Sequence, residues 1–273
     1  QRRTPNTEHK TQKGIIEFTF FIFVVASCID DEALWQVNQP EKPQTAGVFI
    51  VNEGNFMYDN ASLSFYQPDS MHVKHNVFYN ANALPLGDVA QSMAINDSLG
   101  YVVINNSGKV YALHTGDFSY AGKITGLTSP RYMHFVSDTK AYISDMYAKA
   151  ITIIHPENMK ITGRIDVNNH HPEYYQHATE EMVQYGKWVF VNCWSYDNTI
   201  LVIDSQKDQV VDSIPVPRQP NSMVKDRYGD IWALTDGGHA GNPYAHERPA
   251  LVRIDGTTRQ VEQTFRFNKE DSP

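Results

Sequence analysis

Four methionines, Met93, Met133, Met182 and Met223, recur 40, 49 and 41 residues apart, and the same order of short β-rich runs follows each. After Met133 come residues 141–145, 151–155 and 161–165. After Met182 come 188–192, 200–204 and 210–214. After Met223 come 231–235, 251–255 and 261–265, and after Met93 come 101–105, 109–113 and 120–124. Turn-forming or charged residues such as Asn158-Met-Lys160 and Gln206-Lys-Asp208 close the last hairpin of a unit. Apolar spacing of helical period is scarce. The repeat is therefore four short strands in forty-odd residues. A single such sheet cannot bury both faces, whereas sheets stacked around an axis can, so the expected class is all-β and the expected architecture a β-propeller. A β-sandwich with similar strands is the competing arrangement.

Residues 47–80 carry only the last three strands of a unit, as runs at 48–52, 62–66 and 73–78, with no methionine strand ahead of them. Ser272-Pro273 repeats the Ser129-Pro130 that opens an earlier unit. The expectation is a domain over 47–273 with about five blades, C-terminally incomplete, from a ring of seven.

With 41% hydrophobic and 12% aromatic residues, the chain can bury a core of this size. A formal net charge of −8 and the lack of a basic stripe argue against a nucleic-acid partner. Two cysteines are too few for a disulfide scaffold.

The first residues read as an address. Arg2, Arg3, Lys10 and Lys13 precede an apolar run over 15–26, interrupted by Glu17, which ends in Val25-Ala-Ser-Cys28. A dozen apolar residues is signal-peptide length and short for a membrane span. The small residues before Cys28 resemble a bacterial lipobox, which implies a signal peptide over 1–28, lipidation of Cys28 and attachment to membrane only through that lipid. The alternative is a buried strand with an incidental cysteine. Asp30, Asp31 and Glu32 resemble the surface-export signal of lipoproteins in gut Gram-negative bacteria, and 29–46, with Pro40 and Pro43, read as a flexible acidic tether.

From 47 onward the chain resembles the YncE-like propellers, and within them the surface propeller lipoproteins of gut bacteria that bind vitamin B12 for a TonB-dependent transporter. The likeness is carried by Val51-Asn-Glu-Gly-Asn-Phe56, Leu86-Gly-Asp-Val-Ala-Gln-Ser-Met93, Ser129-Pro-Arg-Tyr-Met133 and Gln219-Pro-Asn-Ser-Met223. It implies an outer-membrane, surface-exposed lipoprotein that captures a small nutrient, a corrinoid first, for such a transporter. The tripeptides at 69–71, 97–99 and 212–214 look like O-glycosylation acceptors of the same bacteria.

In a propeller, the loops leading into the innermost strand and those leaving the second strand gather at one end of the axis, where a rigid scaffold presents binding residues. The first set of loops supplies Asp88, Gln91, Ser92, Arg131, Tyr132, His177, Glu180, Glu181, Gln219, Asn221 and Ser222. The second supplies Asn52, Glu53, Asn55, Phe56, Asn105, Asn106, Asp145, Tyr147, Trp194, Tyr196 and Asp236. Aromatic faces and amides suit a large, flat, amide-bearing ligand, and a sugar or peptide about equally. Many of these same groups could instead cap turns. Arg131, with its fork of donors, is the leading candidate.

No nucleophile elbow, phosphate loop or dinucleotide fingerprint occurs, so a non-enzymatic role without a cofactor is expected. Glu180 and Glu181, adjacent on a strand, are expected on opposite faces and hence not as a dyad. Cys193 reads as a small buried hydrophobe. The eleven histidines, His170, His171, His177, His239 and His246 among them, show no metal-ligand spacing. An adhesion or scaffolding propeller, and a propeller enzyme such as a lactonase or a quinone-dependent dehydrogenase, are the alternative roles.

Overall fold

The computed structural model describes residues 46–171, 177–241, 243, 246–269 and 271. The expected signal peptide, Cys28 and nearly all of the tether lie outside the described residues. The described chain is an all-β propeller built of five antiparallel sheets in sequence order, each a simple meander.

The first sheet has three strands, β1 (Val48–Asn52), β2 (Ser62–Gln67) and β3 (His72–Lys74), followed by a short helix α1 (Val77–Asn82). The second holds β4 (Ala90–Asn96), β5 (Leu99–Ile104), β6 (Lys109–His114) and β7 (Tyr120–Thr125). The third holds β8 (Pro130–Ser137), β9 (Lys140–Asp145), β10 (Ala150–His155) and β11 (Lys160–Asp166). The fourth holds β12 (Thr179–Tyr185), β13 (Trp188–Cys193), β14 (Thr199–Asp204) and β15 (Gln209–Pro215). The fifth holds β16 (Pro220–Lys225), β17 (Ile231–Thr235), β18 (Ala250–Ile254) and β19 (Val261–Arg266). The methionine-centred runs are the innermost strands β4, β8, β12 and β16, which contact one another in succession.

Burial follows from the two-residue period of a strand. In β13, Val189, Val191 and Cys193 join the core shared with the third sheet, whereas Phe190 joins the core shared with the fifth. In β5, Tyr101 and Val103 face the third sheet, and Val102 and Ile104 face the first. Each central strand is thus buried on both sides and reads as a continuous apolar run. The outer strands β11, β15 and β19 are mostly exposed. The methionines find their reason in the same arrangement. Met133 and Met182 belong to the cores between their own sheet and the preceding one, and Met93 and Met223 pack against the corresponding cores. An unbranched side chain suits the irregular gap where two twisted sheets converge.

The run at 73–78 does not form one strand as expected. Pairing stops at Lys74, Asn76 turns the chain with φ of 53°, and Val77 and Phe78 enter the core from α1 instead. Asn82 anchors the helix, its amide donating to Phe118 O at 2.9 Å and its side-chain oxygen accepting from Tyr120 N at 2.7 Å.

Second-strand tyrosines fasten neighbouring sheets. Tyr142 on β9 donates its hydroxyl to Asp208 in the last hairpin of the fourth sheet, and Lys140 Nζ reaches the same carboxylate at 2.8 Å. Tyr101 on β5 does the corresponding thing one sheet earlier, donating to Pro156 O at 3.4 Å.

Candidate functional site

The four innermost strands share one irregularity. In each, the register with the second strand shifts just ahead of the methionine: between Ala90 and Ser92, Pro130 and Met133, Thr179 and Met182, and Pro220 and Ser222. These are β-bulges, which add a residue to one strand and re-aim its side chain. Aligned on the methionines, the bulges place Gln91, Arg131, Glu180 and Asn221 in one column, and Ser92, Tyr132, Glu181 and Ser222 in the next. The chain turns sharply into two of these strands: Val89 and Gln219 have φ of 61° and 56°. For a β-branched valine this is a strained conformation of the kind found where a structure holds a functional geometry.

Neighbouring bulges are bonded to one another. Ser92 Oγ donates to Arg131 O at 2.6 Å, and Tyr132 hydrogen-bonds Gln91. Arg131 Nε donates to Glu180 Oε2 at 2.8 Å, and Met223 N donates to Glu181 Oε2 at 2.8 Å. Glu180 thus reaches back to the preceding innermost strand while Glu181 reaches forward to the following one. Two acceptors of this ring, Glu180 Oε1 and Asn221 Oδ1, are buried and have no hydrogen-bond partner among the described residues.

Burial dominates the electrostatics. It pushes the Glu180 carboxyl up to about 7 against the opposing pull of Arg131, and the Glu181 charge adds to the rise. Burial and the two glutamates likewise raise the Tyr132 phenol. Farther along the same strands, a cavity of about 480 Å³ is lined by His134, Gln184 and Lys225 among others. There His134 Nε2 lies 3.1 Å from Gln184 Oε1, and burial holds the imidazole below its ordinary value.

The remaining expected residues divide between loop anchors and exposed tips. Asp145, nearly fully buried, accepts four backbone N–H bonds, from Thr128, Ser129, Tyr147 and Ala148 at 2.9–3.0 Å. Asp88 accepts from Met57 N at 2.9 Å and Asn106 Nδ2 at 2.5 Å, tying the first sheet to the second. Asp236 accepts from Trp194 Nε1 at 2.9 Å and from Gly238 N at 2.7 Å. The Asn52 amide donates within its own sheet, to Ser64 Oγ at 3.0 Å, and the Glu53 carbonyl accepts from Ala90 N at 3.2 Å. Phe56, Tyr147 and Tyr196 are exposed. The residues brought together at one place are therefore Gln91, Ser92, Arg131, Tyr132, Glu181 and Asn221. Glu180, which the sequence placed in the same loops, joins them as the partner of Arg131, a pairing the spacing did not reveal.

The family described as Domain of unknown function (DUF5074) matches residues 46–269, and the chain belongs to it. No curated protein matches the chain. Among solved structures, it is similar to a streptogramin B lyase, with a TM-score of 0.57 at 11% identity over 83% of this chain and 70% of that one. It is similar to a protein of unknown function from Bacteroides caccae, with a TM-score of 0.56 at 11% identity over 81% and 73%. A dihydro-heme d1 dehydrogenase, NirN, also resembles it, with a TM-score of 0.56 at 11% identity over 82% of this chain but 48% of that chain, about half its length. At such identities the likeness establishes the propeller fold.

Proposed function

We propose that the ring of bulged side chains binds a small polar molecule and that the protein is a non-catalytic capture module of the cell surface. The observation that carries this reading is the pair of buried, unpartnered acceptors, Glu180 Oε1 and Asn221 Oδ1, in the column that also holds Arg131. A buried oxygen without a hydrogen-bond partner is costly, and a group that both donates and accepts relieves it whether or not Glu180 holds its proton. Primary amides fit best, since each also offers a carbonyl to Arg131 and Gln91. A corrinoid, whose rim carries primary amides, is the leading cargo, with an outer-membrane TonB-dependent transporter as the recipient. The lipobox ending at Cys28 and the acidic residues after it support display outside the cell.

Calorimetry of the full chain with cyanocobalamin tests the cargo. We expect saturable heat at micromolar concentrations, weakened at least tenfold by Asn221→Ala. Absence of heat in the wild type rejects a corrinoid.

A further inference from the structure

Beside the ring, three side chains of the fourth sheet converge. His177 lies just ahead of β12, Cys193 ends β13, and Asp197 sits in the loop that follows. One donor atom from each lies within 4.8 Å of the other two. His177 Nδ1 stands 2.5 Å from Asp197 Oδ2.

The backbone holds this arrangement in place. Trp194 N donates to Ala178 O at 2.9 Å, joining the residues next to Cys193 and His177. Gln219 N donates to Asp197 O at 2.8 Å. Asn198 N donates to Asp197 Oδ1 at 2.7 Å, which leaves Oδ2 for His177. Cys193 is fully buried and the Asp197 side chain nearly so, while the His177 side chain is 18% exposed, so the cluster opens to solvent on the histidine side.

A thiol beside a histidine and an aspartate invites comparison with a nucleophilic triad. A reactive thiol needs access and a lowered pKa. Cys193 has neither: it is sealed off, and burial with the nearby Asp197 and Glu180 charges pushes the thiol up. A purely structural reading makes His177 and Asp197 a hydrogen-bonded pair and Cys193 a core side chain, and it gives no role to the convergence of the three donor atoms.

We propose that His177, Cys193 and Asp197 bind one divalent metal ion of the zinc type. Thiolate, imidazole and carboxylate are the ligand types of zinc, whereas calcium and magnesium require oxygen alone. Three protein ligands leave a fourth position on the histidine side for water or an incoming group, the pattern of an open site. Ligand atoms around one tetrahedral zinc stand roughly 3.5 Å apart. The cluster reaches that by shifts of about an ångström, with His177 and Asp197 parting to admit the ion. The thiol proton leaves to solvent as the sulfur coordinates. Asn198 N and the Trp194–Ala178 hydrogen bond orient the ligands from behind. Cargo binding and ion binding use different side chains, so the calorimetric result above does not decide this one.

Cobalt titration of the full chain reads the site directly, because a sulfur-to-cobalt charge-transfer band requires a thiolate ligand. We expect the band to saturate at one equivalent of Co²⁺ and to vanish when Zn²⁺ is added. Cys193→Ser should abolish it, with Cys28 still present, and His177→Ala and Asp197→Asn should each weaken Co²⁺ binding at least tenfold. No band in the wild type overturns the site. So does a band that survives Cys193→Ser. Should Cys193→Ser fail to fold, the other two variants decide: unchanged cobalt affinity in both rejects the proposal.

Discussion

At the scale of single residues, Glu180 couples the ring to pH. Its carboxyl rises from an ordinary 4.5 to about 7 in the fold. Between those values the folded chain keeps a proton that the unfolded chain releases, so stability falls as pH rises through the window. The contribution totals about 3 kcal/mol. Glu180→Gln removes this titration. Urea midpoints at pH 5 and pH 8 should show the variant gaining on the wild type at the higher pH, and a pH-independent difference would refute the assignment. Arg131→Ala should show the reverse, costing more at pH 8, where it strands a buried carboxylate. Arg131 was legible from the sequence as a guanidinium near the axis. Glu180 was legible as a residue of the same loops, but not as its partner. Strict alternation already separates residues 180 and 181, but that one reaches back to β8 and the other forward to β16 depends on which sheets stand on either side, a relation between strands far apart in the chain. The cluster of His177, Cys193 and Asp197 was hidden for a related reason. Its members sit 16 and 4 residues apart on three segments, a spacing that has meaning only once β12 and β13 are paired.

At the scale of elements, hairpins are fastened across sheets by hydroxyls. Tyr142 bonds a charged carboxylate that Lys140 also holds, whereas Tyr101 reaches a neutral carbonyl at 3.4 Å. Bonds to charged groups are the stronger kind. Tyr142→Phe should therefore cost about 2 kcal/mol in chemical denaturation and Tyr101→Phe less than about 1 kcal/mol. Equal losses would mean that the Asp208 latch adds nothing. Strand positions were readable because alternation and turn residues are local signals. The exception was the 73–78 run, where apolar Val77 and Phe78 look like strand residues and are buried by a helix instead. The choice is made by the core between the first two sheets, which needs those side chains at a place the strand does not reach.

At the scale of the whole molecule, burial decreases from the second strands outward. β5, β9 and β13 are buried along nearly their full length, and every residue of β19 is exposed. Local opening follows that gradient. Amide hydrogen exchange should find the slowest protons in β5, β9 and β13 and the fastest in β19, and uniform protection across each sheet would contradict this packing. The propeller itself was legible from a forty-residue period, because stacked sheets repeat the same burial problem and the sequence repeats the same answer.

The recurrent bulge has one more consequence. The side chains it carries are not what fills the apolar cores between sheets, since the methionines and the central strands do that. A glutamine, an arginine, a glutamate and an asparagine already occupy equivalent stations on an unchanged frame. Arg131 and Glu180 also bridge two sheets, so the stations can be re-lettered only in matched sets, and diversity among such domains should appear there as paired changes on one scaffold.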